Sequence, residues 1–333
     1  MLVSACGGSG SSAASATVKH PKTLADLPAQ KGAVHAPYVV GTTLYADGKT
    51  FTLAGPVTAV APVEQGVIVE LNDGSSDGRD EIDEVSLKTG VQTALTKGAS
   101  SLISDGKTYA AWRAPGTATT PTDVVVHEIK EGDVDTDVPP AGQCCDSPVT
   151  LLGITPNGQL IAGMTTLRRY WVWQFRDSDD GELTDSETPV ELSALKGQAV
   201  SRVIGDKIVV VGVGAASPSA TVATIGGDGT VSAPASWVAA EPQAVLSASG
   251  EQYASSLAGT VSAAKLGDAE DPPVRLWLPV GIRVQSAVPD DATHDVLVVS
   301  SAKPDGSTNG AVVRCDFETG ACTFIRAVPP SAD

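Results

Sequence analysis

Short apolar runs separated by polar turns make up the chain from Tyr38 onward. In residues 57–71, for example, two runs rich in Val, Ala and Ile flank the polar turn Glu64-Gln65-Gly66. The runs are short for helices, and their Val, Ile and Thr content favours extended structure. The pattern therefore predicts an all-β chain in which consecutive strands form hairpins.

Two types of hairpin alternate along the chain. The turn glycines of the first type are separated by 40, 52, 47 and 45 residues, and turns of the second type fall between them. One pair of hairpins therefore supplies four short strands in about 45 residues, which is the length of a β-propeller blade. First-type turns lie at Gly66, Gly106, Gly158, Gly205, Gly250 and Asp290-Asp291, and second-type turns at Gly90, Gly132, Gly181, Gly229, Gly267 and Gly320.

This repeat predicts a β-propeller with six full four-stranded blades in residues 57–326. An additional hairpin in residues 43–53 precedes them, and it would either form a partial seventh blade or help to close the ring. The alternative fold is a tandem pair of β-sandwiches, because short strands at regular spacing also suit that architecture. The regular alternation of the two hairpin types favours the propeller.

Two of the turns carry a family resemblance. The segments Ile103-Ser104-Asp105-Gly106-Lys107 and Ile154-Thr155-Pro156-Asn157-Gly158-Gln159-Leu160-Ile161 resemble the blade turns of TolB-type and WD-repeat-like propellers, although the Trp-Asp dipeptide is absent. The resemblance extends in rhythm over most of the chain. It implies a propeller lipoprotein of the bacterial envelope.

The N-terminus agrees with an envelope location. Val3-Ser4-Ala5-Cys6 resembles a bacterial lipobox, which implies that the Cys6 thiol carries diacylglycerol. A complete signal needs basic and apolar regions before that point, so we expect the true start to lie upstream. We interpret residues 1–5 as the remnant of a signal peptide, residues 6–37 as the lipidated cysteine and a flexible linker, and residues 38–333 as one propeller domain. The alternative is a cytosolic protein with a chance match.

The other four cysteines suit an oxidising compartment. Cys315 and Cys322 flank a hairpin turn and are placed to form a disulfide across two strands. If that disulfide forms, Cys144 and Cys145 are left to pair with each other, and a disulfide between adjacent cysteines is strained. They are either a structural disulfide or two free thiols.

Composition excludes one class of partner. The net charge is −17, with 39 acidic and 22 basic residues, so the surface repels phosphate backbones and nucleic-acid binding is not expected. No run of eighteen apolar residues is present, so no transmembrane helix is predicted. The membrane partner is expected to be reached through the lipid anchor alone.

Two groups of residues are candidates for a binding face. The acidic segment that contains Asp73, Asp77 and Asp80 has the oxygen ligands that calcium prefers, but it lacks the order of ligands found in EF-hand loops. Calcium is therefore the one candidate ligand of this kind, and no other cofactor is predicted. The second group combines basic and aromatic residues. Tyr170 and its neighbours on the predicted strand alternate between the two faces of the sheet. The members of this group are Arg113, Arg168, Arg169 and Tyr170.

No nucleophile elbow, phosphate loop or zinc motif occurs in the sequence. The sequence therefore favours a non-catalytic binding or scaffolding protein whose partner is a protein or a glycan. The alternative is a propeller hydrolase or lyase that acts on an extracellular glycan, because propeller active sites are assembled from loops of several blades.

Overall fold

The computed structural model describes most of the chain. The described residues are 20–64, 66–72, 80–114, 122–128, 132–138, 149–177, 183–185, 189–212, 219–233, 238–240, 244–256, 259–268, 270–302 and 308–329. No helix in these ranges is long and apolar enough to cross a membrane. The two helices that they contain are single 3-10 turns, Leu24–Asp26 and Ser193–Leu195.

Six antiparallel four-stranded blades follow one another along the chain, as the repeat predicted. Blade 1 consists of β4 (Val57–Val63), β5 (Gly66–Asn72), β6 (Asp80–Ser86) and the first part of β7 (Gln92–Ser104). The rest of β7 is the first strand of blade 2, which continues with β8 (Tyr109–Arg113), β9 (Thr122–Glu128) and β10 (Gly132–Val138).

Blades 3 and 4 occupy the middle of the chain. Blade 3 contains β11 (Val149–Ile154), β12 (Gln159–Met164) and β13 (Arg169–Asp177), and its outer position is divided between β14 (Leu183–Asp185) and β15 (Val190–Glu191). Blade 4 contains β16 (Ala199–Ile204), β17 (Lys207–Val211), β18 (Ala220–Thr224) and β19 (Val238–Ala240).

Blades 5 and 6 complete the series. Blade 5 contains β20 (Val245–Leu246), β21 (Glu251–Ser255), β22 (Val261–Lys265) and β23 (Val274–Arg275). Blade 6 contains β24 (Ile282–Pro289), β25 (His294–Ala302), β26 (Thr308–Asp316) and β27 (Cys322–Val328). Cys315 and Cys322 are paired across β26 and β27 and form the predicted disulfide.

A separate N-terminal sheet closes the ring. It contains three strands, β1 (Tyr38–Val40), β2 (Thr43–Ala46) and β3 (Lys49–Thr52), so the predicted hairpin gains one strand. One apolar cluster joins this sheet to blade 1 through Leu44 and Val69, and another joins it to blade 6 through Tyr38 and Val312. Five further clusters join consecutive blades, so the described core is a closed circle of sheet-to-sheet contacts.

Residues that precede the N-terminal sheet also contact blade 6. Ala29 forms a parallel bridge with Phe324, and Leu24 and Leu27 are buried in the cluster between blades 5 and 6. The Asp290 carboxylate accepts hydrogen bonds from the backbone N–H groups of His35 and Ala36, at 2.6 and 2.7 Å. These contacts fasten the N-terminal segment to the last blade.

The strand directions define two faces of the propeller. At the upper face the first strand of each blade begins and the second strand ends, and at the lower face the first strand turns into the second. The lower turn at Asp105-Gly106 is wider than the two-residue turn that its sequence suggests, because Ser104 pairs with Ala110. Gly106 alone has a positive φ there, and Asp105 Oδ1 instead accepts the N–H groups of residues 107 to 109.

The innermost strands share a local irregularity. A register shift interrupts the pairing of the first strand with the second in blades 1, 2, 3, 4 and 6. Bulges of this kind redirect side chains and increase twist. The shift in blade 1 lies beside Thr58, and the shift in blade 4 lies beside Ser201 and Arg202.

Candidate functional site

The fold brings several predicted site residues to the upper face. Asp80 begins β6, Arg113 ends β8, and Arg168 and Arg169 lie where β12 turns into β13. Asp80 pairs with Ala99, and Arg113 pairs with the next residue of β7, Ser100. Asp80 and Arg113 are therefore about two strand spacings, roughly 10 Å, apart. Asp73 and Asp77 lie outside the described residues.

A pair of buried carboxylates occupies the upper end of the contact between blades 1 and 2. Glu70 is 7% exposed and Asp80 is 8% exposed. The Thr58 hydroxyl lies 3.2 Å from Glu70 Oε1 and 3.1 Å from Asp80 Oδ2 and donates to one of them at a time. The backbone N–H of Leu102 in blade 2 donates to Glu70 Oε2 at 2.7 Å. Glu70 thereby links the second strand of blade 1 to the first strand of blade 2.

The environment of Glu70 favours its protonated form. Burial is the main cause of its raised pKa, and the neighbouring Asp80 raises the pKa further through a hydrogen bond and its negative charge. The hydrogen bonds from Leu102 and Thr58 act in the opposite direction. Two acids in contact beside one hydroxyl can share a proton, as catalytic acid pairs do.

The three predicted arginines differ in their contacts. Arg113 Nε is buried and has no hydrogen-bond partner among the described residues. Arg168 has a positive φ of 52° and donates from Nη1 to the Gly197 carbonyl at 3.0 Å. Arg169 forms a two-pronged ion pair with Glu191, at 2.8 and 3.1 Å. Arg168 and Arg169 thus support the local structure of blade 3, whereas Arg113 retains an unused donor.

Tyr170 lies in the core between blades 3 and 4. It is 1% exposed, and its hydroxyl donates to the Gln198 carbonyl at 3.0 Å and accepts from the Val200 N–H at 3.1 Å. The alternation of β13 follows the predicted pattern, because Tyr170 faces blade 4 while Trp171 and Trp173 face blade 2. In this structure Tyr170 joins two blades.

A buried acid is also found at the lower face. Asp295 is fully buried between blades 5 and 6 and accepts hydrogen bonds from Tyr253 Oη at 2.8 Å and Ser249 Oγ at 3.0 Å. Burial is the largest cause of its raised pKa, and its hydrogen bonds oppose the shift. Because its partners come from blade 5, this acid joins neighbouring blades.

Exposed apolar side chains are unequally placed. Leu167 is 46% exposed in the upper turn between β12 and β13, and Val280 is 65% exposed in the upper connection between blades 5 and 6. Val91 is 57% exposed at the lower face, between β6 and β7. Single exposed apolar residues are ordinary, so they matter only with their surroundings.

The six inner strands enclose a central cavity of about 330 Å³. Every four-stranded blade contributes to its lining, which exposes polar and apolar surface in similar amounts and includes Arg202 of blade 4. Turn residues such as Gly106 and Gly205 also line it, which places the cavity at the lower end of the channel. The described residues contain no group of three or more His, Cys, Asp or Glu side chains placed to hold a metal ion. Cys6, Cys144 and Cys145 lie outside the described residues.

No protein-family model and no curated protein matches the chain. Among solved structures, the chain is similar to the β-propeller domain of the trilobed protease from Pyrococcus furiosus, with 13% identity, a TM-score of 0.49 and coverage of 89% of this chain and 86% of that chain. It is also similar to a post-proline cleaving enzyme from Rickettsia typhi, with 9% identity, a TM-score of 0.48 and coverage of 84% and 45%.

A third similarity is to virginiamycin B lyase from Staphylococcus aureus, with 13% identity, a TM-score of 0.40 and coverage of 79% of this chain and 92% of that chain. At these identities and TM-scores, the activities in those names say nothing about what this chain binds. The propeller assignment rests on the strand order and the circle of core clusters.

Three residues of these sites were missed by the sequence reasoning. Glu70 and Thr58 belong to strands whose apolar pattern marks them as core, and Arg202 is a single cation in an apolar run. The one available signal was the acid in the apolar stretch Val67-Ile68-Val69-Glu70-Leu71. A charged residue there implies a buried partner, which is Asp80 with Thr58.

Proposed function

We propose that the chain is a non-catalytic binding propeller, anchored by lipid at Cys6 on the extracytoplasmic side of the membrane, which holds a protein partner on its upper face. The observation that carries the binding role is the contrast between the connections at the two ends of the second strand of each blade. Second-to-third strand connections at the upper face contain four to eight residues, whereas first-to-second strand turns at the lower face contain two to four. Longer connections on a rigid scaffold are the usual location of binding residues.

The polar side chains of the lower turns are used to hold those turns. Asp105 accepts three backbone N–H groups within its own turn, and Asp316 accepts two. At the upper face, Leu167 is exposed, and Arg168 follows it in the same turn between β12 and β13. An exposed apolar side chain next to an arginine suits a protein surface, since arginine is enriched at interface hot spots. The net charge of −17 favours a partner whose docking surface is basic.

A second candidate is the hydrolase or lyase acting on an extracellular glycan. The Glu70–Asp80 pair supplies one element of such a site, a carboxyl group with a raised pKa, but the two carboxyl groups are in contact, closer than the roughly 5 Å or more that separates the acids of glycosidases. We place it second because both side chains are less than one-tenth exposed, so a sugar would need the upper face to open before it reached them.

The binding role can be tested with two matched positions. A photo-crosslinking residue is introduced in cells at position 167 or at position 91, which are similarly exposed apolar sites on opposite faces. We expect one defined protein to be crosslinked from position 167 and not from 91. Co-purification of that protein should be reduced by Leu167→Asp and retained with Val91→Asp. Equal crosslinking from both positions, or equal retention by both variants, would contradict an upper-face site.

The enzyme alternative has its own test. Purified wild-type protein and Glu70→Gln are incubated with a panel of extracellular glycans, and reducing ends and unsaturated products are measured. Turnover by the wild type that is lost in Glu70→Gln would replace the binding proposal with the enzyme.

The anchor is tested separately from the partner. The gene is expressed with its natural start in the presence of a fatty-acid analogue that can be labelled. We expect label on the wild type and on Cys144→Ser, and no label on Cys6→Ser. Label on Cys6→Ser equal to that of the wild type would exclude lipidation at this residue without affecting the upper-face proposal.

A further inference from the structure

The central cavity contains an arginine with no acid beside it in the part of the chain that the structure describes. Arg202 lies in β16, directly after the register shift in the inner strand of blade 4, and its side chain lines the cavity. No ion pair or hydrogen bond joins the Arg202 side chain to any described residue. Solvent reaches the side chain through the channel, yet the surrounding blades desolvate it, and this desolvation lowers the pKa of Arg202. Among the described residues, no acid therefore neutralises this guanidinium.

The only acid in the described cavity lining, Asp105, does not supply a counter-charge for Arg202. Asp105 comes from blade 2, and its Oδ1 is used by three backbone N–H groups of its own turn. Its Oδ2 is buried, with no hydrogen-bond partner among the described residues. Asp105 is therefore held in the turn, and Arg202 remains the one group in the described lining that is available for an anion.

The rest of the cavity selects the kind of anion. Partly or fully exposed apolar residues of three other blades contribute apolar surface to the lining, beside polar groups: Val60, Pro62, Leu246, Ala248 and Val288. The volume of about 330 Å³ is near the lower limit of cavities that hold small molecules, which range from roughly 300 to 1,000 Å³. A polymer chain would not fit within it. A small molecule with one anionic end and an apolar body would complement both the arginine and the walls.

We propose that the lower end of the central channel is a binding site for a small carboxylate with an apolar body, in which Arg202 binds the carboxylate group. The planar guanidinium donates two parallel hydrogen bonds to the two carboxylate oxygens. The inner strands of the other blades contact the apolar part of the molecule. The site lies at the opposite end of the channel from the upper face, so it is independent of the protein-binding proposal.

The test uses benzoate and hexanoate as probes of the purified propeller. Binding is measured by calorimetry and by the rise in thermal unfolding temperature that a ligand of the folded state produces. We expect saturable binding of both carboxylates by the wild type. We expect Arg202→Gln to weaken it by roughly tenfold to a hundredfold, since a hydrogen bond to a charged group has about that effect. Arg202→Lys should retain part of the affinity, because the charge remains without the planar fork.

Three controls separate the proposal from simpler explanations. Arg283→Gln removes an arginine from the inner strand of blade 6 that does not line the cavity, and it should bind like the wild type. Benzyl alcohol, the neutral counterpart of benzoate, should bind more weakly than benzoate. Arg202→Gln should fold normally, since no described contact is lost.

The site is excluded if the wild type shows no saturable binding, or if Arg202→Gln binds benzoate as the wild type does. Inorganic phosphate binding as tightly as benzoate would overturn the carboxylate class.

Discussion

Removing the hydroxyl of Tyr170 tests whether this residue joins blades 3 and 4. In Tyr170→Phe the ring stays in its core position, while two backbone groups of the neighbouring segment lose their partner. Val200 is buried, so its N–H loses its only side-chain acceptor, and leaving a buried donor unsatisfied costs about 1–3 kcal/mol. Gln198 is half-buried, so water partly replaces the hydroxyl at its carbonyl, and this loss adds about 1 kcal/mol. We expect a total decrease of about 2–4 kcal/mol in the free energy of unfolding.

The assay is urea-induced unfolding followed by tryptophan fluorescence, because Trp171 and Trp173 lie on the same strand. The matched control is Tyr45→Phe, whose hydroxyl accepts an exposed hydrogen bond from Arg326 at 2.6 Å. Phenylalanine keeps the ring over which that guanidinium lies, so the control should lose less than about 1 kcal/mol. A decrease below about 0.5 kcal/mol in Tyr170→Phe would refute the bridging role.

Three further changes test the inner strands and the ring closure. The raised pKa of Glu70 means that its ionisation destabilises the folded state once the pH exceeds the ordinary value of 4.5. Glu70→Gln should therefore be more stable than the wild type near pH 7, and lowering the pH below 4.5 should abolish the difference in free energy of unfolding. Gly153→Ala would place a Cβ 2.6 Å from the Val203 carbonyl oxygen, and in thermal unfolding it should destabilise the folded state by about 1–3 kcal/mol. In the control Gly227→Ala the nearest atom to the new Cβ is 3.9 Å away, so stability should not change. Asp290→Ala removes a fully buried carboxylate that pairs with Arg314 at 2.5 Å, and it should lower the free energy of unfolding by about 3–5 kcal/mol. It should also make residues 28–46 susceptible to limited proteolysis, and unchanged proteolysis would be evidence against their role in closing the ring.

The repeat and the hairpins could be predicted because they depend on neighbours in sequence. Alternating apolar positions specify the strands, and glycines such as Gly158 and Gly250 provide the positive φ that their turns require. The Cys315–Cys322 disulfide follows for the same reason, since seven residues and one turn separate the two cysteines. The Asp105 turn is wider than the two-residue turn that Asp-Gly suggests, because the Asp105 side chain organises a longer loop.

The candidate sites were only partly predictable. The upper-face location of Asp80, Arg113 and Arg168 follows from the strand order once the propeller is accepted. Their contacts do not follow, because sequence spacing does not reveal that Glu191 pairs with Arg169 or that Tyr170 is enclosed by blade 4. Arg202 looks like an ordinary strand residue until six blades surround it.

By itself, the sequence determined an all-β chain, a blade repeat and the hairpin disulfide, because strand alternation and turn chemistry act over a few residues. Only the tertiary structure decided how the circle closes, with Asp290 binding backbone groups some 255 positions earlier in the chain. It also decided which charged groups meet or stay apart. Glu70 reaches Asp80 across neighbouring strands and Leu102 in the next blade, while Arg202 meets no acid among the described residues. Such encounters depend on how whole sheets pack, and that packing is set by every blade together.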